Sequence, residues 1–258
     1  MTILDAVWLG IIEGITEFLP VSSTGHLILA SKLLGLPETE FLKTFEIAIQ
    51  LGAILSVVVL YARSFLLRLE VIKRLMAAFV PTAILGFIFY KIVKTYFLGN
   101  AHIVTFALFF GGLFMILFER AYKEKPGAEE DISKLSYKSA VLIGIFQSFA
   151  MVPGISRSAA TIIGGLVLGM KRKAIVEFSF LLAVPTMLAA TVLDVLKSDA
   201  VLTADTLPLL GTGFAVAFVV AIVAIKWLLG FIKKHNFVSF GVYRMLAAAA
   251  FWYFIGFH

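Results

Sequence analysis

Residues 13–26 read E-G-I-T-E-F-L-P-V-S-S-T-G-H. Two carboxylates (Glu13, Glu17), the hydroxyl run Ser22, Ser23 and Thr24, and the imidazole of His26 crowd into this stretch. They do so inside a chain of 258 residues that is 61% hydrophobic and only 15% charged. Soluble globular chains carry about 25% charged residues, and the mean hydropathy here is +1.02. Several apolar runs reach the roughly 20 residues needed to cross about 30 Å of hydrocarbon. The chain therefore reads as an all-α integral membrane protein. A β-barrel would show short alternating segments instead. Polar groups packed this densely at membrane depth need a chemical reason.

Working outward, residues 3–19 are apolar apart from Asp5, Glu13, Thr16 and Glu17, and Pro20 breaks the run. A second apolar piece spans 24–36. Both pieces are short for a crossing. Two short helices around a Pro/Ser/Gly loop predict a re-entrant hairpin, a form tolerated at depth only when buried in protein or lining a wet cavity. Spans are expected at 41–61, 75–93 (loosened at Pro81) and 101–118. Residues 119–138 form the clearly hydrophilic loop. Then 139–150 is again short and apolar and leads into M-V-P-G-I-S-R-S-A-A-T at 151–161. A further short piece ends at Lys171-Arg172-Lys173. Spans follow at about 174–195, 207–229 and 238–257. Asp5 and the missing basic start argue against a cleavable signal. The chain has no cysteine, which excludes disulfides and thiolate metal sites.

The second half repeats the first. A shift of 134 places Gly144-Ile145 on Gly10-Ile11, Gln147 on Glu13, and Ser156-Arg157-Ser158 on Ser22-Ser23-Thr24. Loop Lys and Arg concentrate in 63–74, 120–138, 171–173 and 226–235, whereas 37–40, 91–100 and 195–206 are poor in them. All basic loops fall on the cytoplasmic side if the first hairpin enters from outside and the second from inside. Both termini are then external. The expected fold is an inverted-topology repeat in a single membrane domain. Repeat 1 covers about 1–120 and repeat 2 about 139–258, joined by a cytoplasmic loop at about 120–138. Each half holds a re-entrant helical hairpin plus three transmembrane helices. The net charge of +6 fits basic cytoplasmic loops, with no nucleic-acid partner implied.

Glu13 and Glu17 share a helix face. Their carboxylates repel unless one is protonated or a cation bridges them, and Mg²⁺ or Ca²⁺ with oxygen ligands would serve. Ser22, Ser23 and Thr24 open the next helix, where one hydroxyl suffices for capping and free N–H groups favour an anion. A hydroxyl there becomes a nucleophile if a base takes its proton. His26 can act as base, acid or nucleophile. Arg157, between Ser156 and Ser158, offers a planar phosphate ligand at the second hairpin, with Thr161 supporting the loop. Two positive helix ends converging with Arg157 suit a phosphate or diphosphate, and the set supports phosphoryl transfer. Glu46 and Gln50, with Glu177 and Ser179 in the second half, are candidates for a supporting polar seam. His102, His235 and His258 lie near ends or loops and read as inert. Some of the 25 phenylalanines could line a groove for an isoprenoid chain.

At 13–26 and 153–161 the sequence strongly resembles the undecaprenyl-diphosphate phosphatase, or bacitracin-resistance, family. The likeness continues through K-T-F-E-I-A-I-Q-L-G-A-I at 43–54 and E-F-S-F-L-L-A-V-P at 177–185, and covers nearly the whole chain. Ala159 stands where that family commonly has glycine and is expected to restrict the loop. The resemblance implies hydrolysis of undecaprenyl diphosphate to the monophosphate, which recycles the lipid carrier of peptidoglycan synthesis. The active site would open to the outer face of the bacterial cytoplasmic membrane. It implies Glu13 and Glu17 as metal or acid–base residues, Ser23 as nucleophile with His26 or Glu17 as its base, and Arg157 as the phosphate clamp. Ser22, Thr24, Ser156, Ser158 and Thr161 complete the expected substrate contacts. His26 itself is the alternative nucleophile. The partners are a polyprenyl diphosphate and membrane lipid; a homodimer is compatible with the sequence. The competing reading is a transporter or flippase for a polyprenyl phosphate, since inverted repeats with broken helices also build transporters. A carrier, however, needs the cationic half of the site but no adjacent acid–base pair.

Overall fold

Asp5, which interrupts the first apolar run, starts a helix. The Thr2 hydroxyl accepts from the Asp5 N–H at 3.2 Å and the Asp5 carboxylate accepts from the Thr2 N–H at 2.6 Å, a reciprocal cap. Helix α1 then runs Ile3–Thr16. The computed structural model describes residues 1–62, 68–97, 100–197 and 206–256, whose regular elements are helices apart from one isolated bridge between Glu129 and Met170. After α1 come α2 (Ser23–Leu33), α3 (Glu40–Leu60), α4 (Leu69–Ile92), α5 (Ala101–Ala121), α6 (Tyr137–Ser148), α7 (Arg157–Val167), α8 (Arg172–Lys197), α9 (Leu207–Phe231) and α10 (Val238–Gly256). Among the described residues five helices are long and apolar enough to cross a membrane: α3, α4, α5, α8 and α9. The expected sixth span corresponds to α10, of 19 residues.

Besides Thr2 on α1, side-chain caps set four further helix starts. Thr39 caps α3, Asn100 caps α5, Ser136 caps α6 and Ser156 caps α7. Helix α4 starts at Leu69 rather than at residue 75. Lys73 and Arg74, expected in a loop, lie inside it, because Glu70 pairs with both at i+3 and i+4 and the turn stays helical. Helix α4 runs unbroken through Pro81 and continues as a π-turn, Val93–Phe97, where a plain connection was expected. Ala159 lies in the first turn of α7, not in a loop. Alanine is the strongest helix former, so it supports that turn. Arg63 and most of 195–206, both used to orient the chain, lie outside the described residues, as does His258.

Helix α1 packs on α9, and α9 on α3; α6 packs on α4, and α4 on α8; α3 meets α8 and α5 meets α10. Small residues allow this closeness. A Cβ on Gly14 would stand 2.8 Å from the Ala217 carbonyl oxygen, so α1 and α9 touch backbone to backbone. Helix α8 is the centre: 61% of its apolar window is buried, against 22–44% for the other four spans. At one end of the bundle a buried ion pair joins Glu119 at the close of α5 to Arg172 at the start of α8. The Phe237 N–H also donates to Glu119, and Arg172 lies over the Phe237 ring at 5.0 Å. That knot fastens α5, α8 and the start of α10 together.

Candidate active site

The turn after α1 and the turn before α7 meet in the protein interior. The Ser158 hydroxyl donates to the Phe18 carbonyl at 2.8 Å, and the Phe18 ring meets Phe180 edge-on at 5.3 Å. This contact fixes the first turn against the second. Glu17 ends α1 and is 5% exposed. One of its carboxylate oxygens accepts from the Ser23 hydroxyl at 2.6 Å; the other accepts from Arg157 Nη2 at 3.2 Å. A nucleophile-type hydroxyl, a carboxylate and a guanidinium thus stand in one line, contributed by both turns. A charge-assisted O–H···O⁻ bond of this length is a strong one.

The line opens on a cavity of about 200 Å³. Of the residues singled out from the sequence, Glu17, Ser22, Ser23, Thr24, Ser156 and Arg157 line it, and Gln50 of the polar seam joins them. Ser22 enters α2 with φ +74°, a left-handed conformation rare for serine, and its side chain makes no cap. The simple capping role does not apply to it. Such backbone conformations cost energy and persist where the surroundings enforce them. Here the consequence is geometric: the bend turns Ser23 back toward Glu17.

Arg157 does not stand free for an anion. Besides Glu17, it donates through Nη1 to the Ser179 carbonyl at 2.8 Å. Its buried Nε has no hydrogen-bond partner among the described residues. Its charge is already balanced by Glu17, and Ser179 and Glu17 engage both of its terminal nitrogens. Ser158 and Thr161 are not among the cavity-lining residues, contrary to their expected substrate contact. Thr161 bonds to the Ser179 hydroxyl at 2.6 Å, and both residues are fully buried. They bolt α7 to its neighbours and hold Arg157 in place.

His26 also departs from expectation. Its Nδ1 lies 2.8 Å from the Ser22 carbonyl and its Nε2 2.8 Å from the Tyr243 hydroxyl. A carbonyl only accepts, so Nδ1 carries a proton; in the neutral ring Nε2 then accepts from Tyr243. The rings stack with centroids 5.5 Å apart. Both nitrogens are occupied away from Ser23, and His26 does not line the cavity. The pairing of Ser23 with His26 is not made; the Ser23 hydroxyl donates to Glu17 instead.

Glu13 lies one helical turn behind Glu17, fully buried, close enough for the two carboxyl groups to interact electrostatically. Neither of its oxygens has a hydrogen-bond partner among the described residues. Those residues hold no cluster of three or more His, Asp or Glu side chains suited to a metal. The donor set nevertheless fits a hard divalent cation of the magnesium kind. Such ions are commonly held by one or two carboxylates, with substrate phosphate and water completing the shell. Of the remaining seam residues, Ser179 holds Arg157 and Glu46 is in electrostatic reach of Glu13. Glu177 lies apart, 3.8 Å from Lys173, lining a separate small cavity with Tyr61 and Arg68.

Three polar cavity residues, Thr82, Gln147 and Thr186, and one neighbour, Tyr243, escaped the sequence reading. Thr82 and Thr186 each follow a proline inside a membrane helix (V-P-T at 80–82 and 184–186), a pairing that could have flagged them. Gln147 aligns with Glu13 under the internal shift. Tyr243 carried no local signal.

The family described as "Bacitracin resistance protein BacA" matches residues 6–250. The undecaprenyl-diphosphatase of Sulfurihydrogenibium sp. (strain YO3AOP1) is 54% identical over 255 residues, covering 98% of this chain and all of that protein. That of Persephonella marina is 52% identical over 255 residues, with 99% and 100% covered. That of Aquifex aeolicus is 49% identical over 246 residues, with 95% and 96% covered. The match runs through both turns that build the Ser23–Glu17–Arg157 line and through most of the helices that bury it, so the chain belongs to the bacitracin resistance protein BacA family.

Proposed function

We infer that this chain hydrolyses undecaprenyl diphosphate to undecaprenyl phosphate and inorganic phosphate. The product is the lipid carrier of peptidoglycan synthesis, and its renewal accounts for the bacitracin resistance in the family's description. The observation that carries the chemistry is the buried Ser23–Glu17–Arg157 line, at 2.6 and 3.2 Å. A flippase needs a cation for its cargo but no hydroxyl poised on a carboxylate.

In the mechanism, the terminal phosphate enters beside Arg157, whose free Nε donates to it. Ser23 Oγ attacks the terminal phosphorus as Glu17 takes the hydroxyl proton. The bond from that phosphorus to the bridging oxygen breaks, and undecaprenyl phosphate leaves with the electron pair and takes the proton from Glu17, which returns to a carboxylate. Water then attacks the Ser23 phosphoester. Its proton passes through Glu17 to Ser23 Oγ, and inorganic phosphate is released. Arg157 balances the negative charge that grows on the transferred group. Glu13 and Glu17 would hold Mg²⁺ or Ca²⁺, which supplies further charge neutralisation at the phosphates when bound.

Purified protein is expected to release phosphate from undecaprenyl diphosphate, and excess chelator is expected to suppress that release. Undiminished release in chelator would remove the cation from this site.

For the membrane arrangement, an inverted repeat is supported by the way partners exchange. Helix α1 lies on α9 as α6 lies on α4, and α3 with α8 and α5 with α10 are mutual pairs. The short helices α1–α2 and α6–α7 are then re-entrant hairpins inserted from opposite sides. The cavity opens outward, both termini are external, and the membrane is the bacterial cytoplasmic membrane. The chain has no native cysteine, so a single Lys125→Cys, at an exposed loop position, reports the side. It should resist an impermeant maleimide in whole cells; ready labelling would invert the topology.

A further inference from the structure

Gln147 occupies in the second half the place that Glu13 holds in the first, and the mechanism above leaves it without a task. It sits near the end of α6, 2% exposed, and lines the catalytic cavity with Thr82 and Thr186. Its Nε2 donates to both threonine hydroxyls, at 3.0 Å each. The orientation of this amide follows from proton counting. A hydroxyl has one proton. Thr82 gives its own to the Gly144 carbonyl at 2.8 Å, and Thr186 gives its own to the Leu182 carbonyl at 2.8 Å. Both oxygens can then only accept, so the NH₂ group must face them. A flipped amide would set an oxygen against two oxygens with no proton between them. Oε1 is therefore fixed as an acceptor, and it has no hydrogen-bond partner among the described residues.

A buried acceptor that cannot turn away calls for a donor. Carboxylates and fully ionised phosphate oxygens offer none. The groups the reaction brings into the cavity with an O–H are the hydrolytic water and a protonated phosphate oxygen. We propose that Gln147 Oε1 holds the hydrolytic water, accepting a hydrogen bond from one of its O–H groups while Glu17 takes the proton of the other. Water has two protons, and two rigid acceptors from opposite hairpins would fix its lone pair. This assignment rests on the hydrolase reading above. In atoms, the water oxygen bonds to phosphorus and the phosphoester bond to Ser23 breaks. One water proton reaches Ser23 Oγ through Glu17, and the other stays on the phosphate.

The test is steady-state hydrolysis of undecaprenyl diphosphate by the full chain, with inhibition by inorganic phosphate measured alongside. Gln147→Met, similar in size and unable to accept, is expected to lower kcat by about 100-fold, the scale of a misplaced reactant. KM and phosphate inhibition should stay at wild-type values. Thr82→Val releases one anchor of the amide and should lower kcat less, in the same parameter; it decides the matter alone if Gln147→Met does not fold. A raised KM with weakened phosphate inhibition would place Oε1 on a phosphate O–H and overturn the water. Unchanged kcat with lowered thermal stability would overturn it too, leaving only a packing role. Failure of the hydrolase reading looks different: the wild-type chain would itself release no phosphate.

Discussion

Glu17→Gln is expected to lower kcat by about 10³-fold or more, with KM unchanged or reduced. The amide matches the carboxylate in shape and can still bond to Arg157 through its oxygen. It cannot take the Ser23 proton, so the hydroxyl remains a poor nucleophile. The direction of KM follows from the ion pair. Glu17 balances Arg157 at 3.2 Å, and removing that charge leaves the guanidinium to the incoming phosphate. A variant that lost activity through a large rise in KM would sink the role of Glu17 as base. Stability is checked in parallel, since a buried arginine deprived of its counter-ion is costly. Ser23→Ala should reproduce the loss of kcat while still binding the lipid, and His26→Ala should lose less. A dead His26→Ala beside an active Ser23→Ala would assign the nucleophile to His26, against the geometry in which both its nitrogens are engaged.

The polar stretch at 13–26 was legible because membrane depth penalises unpaired polar groups, so each needed a purpose. The Glu17–Ser23 contact follows from a helix end, a proline turn and a helix start six residues on. Helix existence was legible for the same kind of reason: apolar length is a strong signal. What stayed hidden depended on tertiary contact. Ser158, Thr161 and Arg157 were all expected to touch the substrate, yet the two hydroxyls turn into the protein core and the guanidinium toward Glu17. The Ser22 backbone, at φ +74°, has no sequence mark, since serine seldom adopts it. Helix α4 began early because Glu70 pairs with Lys73 and Arg74, which read as loop charge. The occupation of His26 depends on Tyr243, 217 residues away, and no spacing rule reaches that far.

Arg157→Ala is expected to abolish turnover, and Arg157→Lys separates the two reasons for it. In the proposed mechanism Arg157 has two tasks. Inside the protein it balances Glu17, whose side chain is 3% exposed. Removing one partner of such a pair typically costs about 3–5 kcal/mol, because the other is left buried and unpaired. Toward the substrate, it brings a planar guanidinium whose Nη1 and Nη2 are held by Ser179 and Glu17, leaving Nε for phosphate. Alanine removes both. Lysine restores a charge beside Glu17 but is a single point donor without the fork. It cannot bond Ser179, Glu17 and a phosphate in three fixed directions. Arg157→Lys should therefore recover most of the thermal stability lost in Arg157→Ala while regaining little activity. If lysine restored the rate along with the stability, Arg157 would act only as a counter-ion to Glu17, and the phosphate would have to be held by something else. Wild-type turnover in Arg157→Ala would remove it from the site altogether. Because Arg157 comes from the turn before α7 and Glu17 and Ser23 from the turn after α1, the same pair of variants also measures whether one turn is catalytically complete without the other.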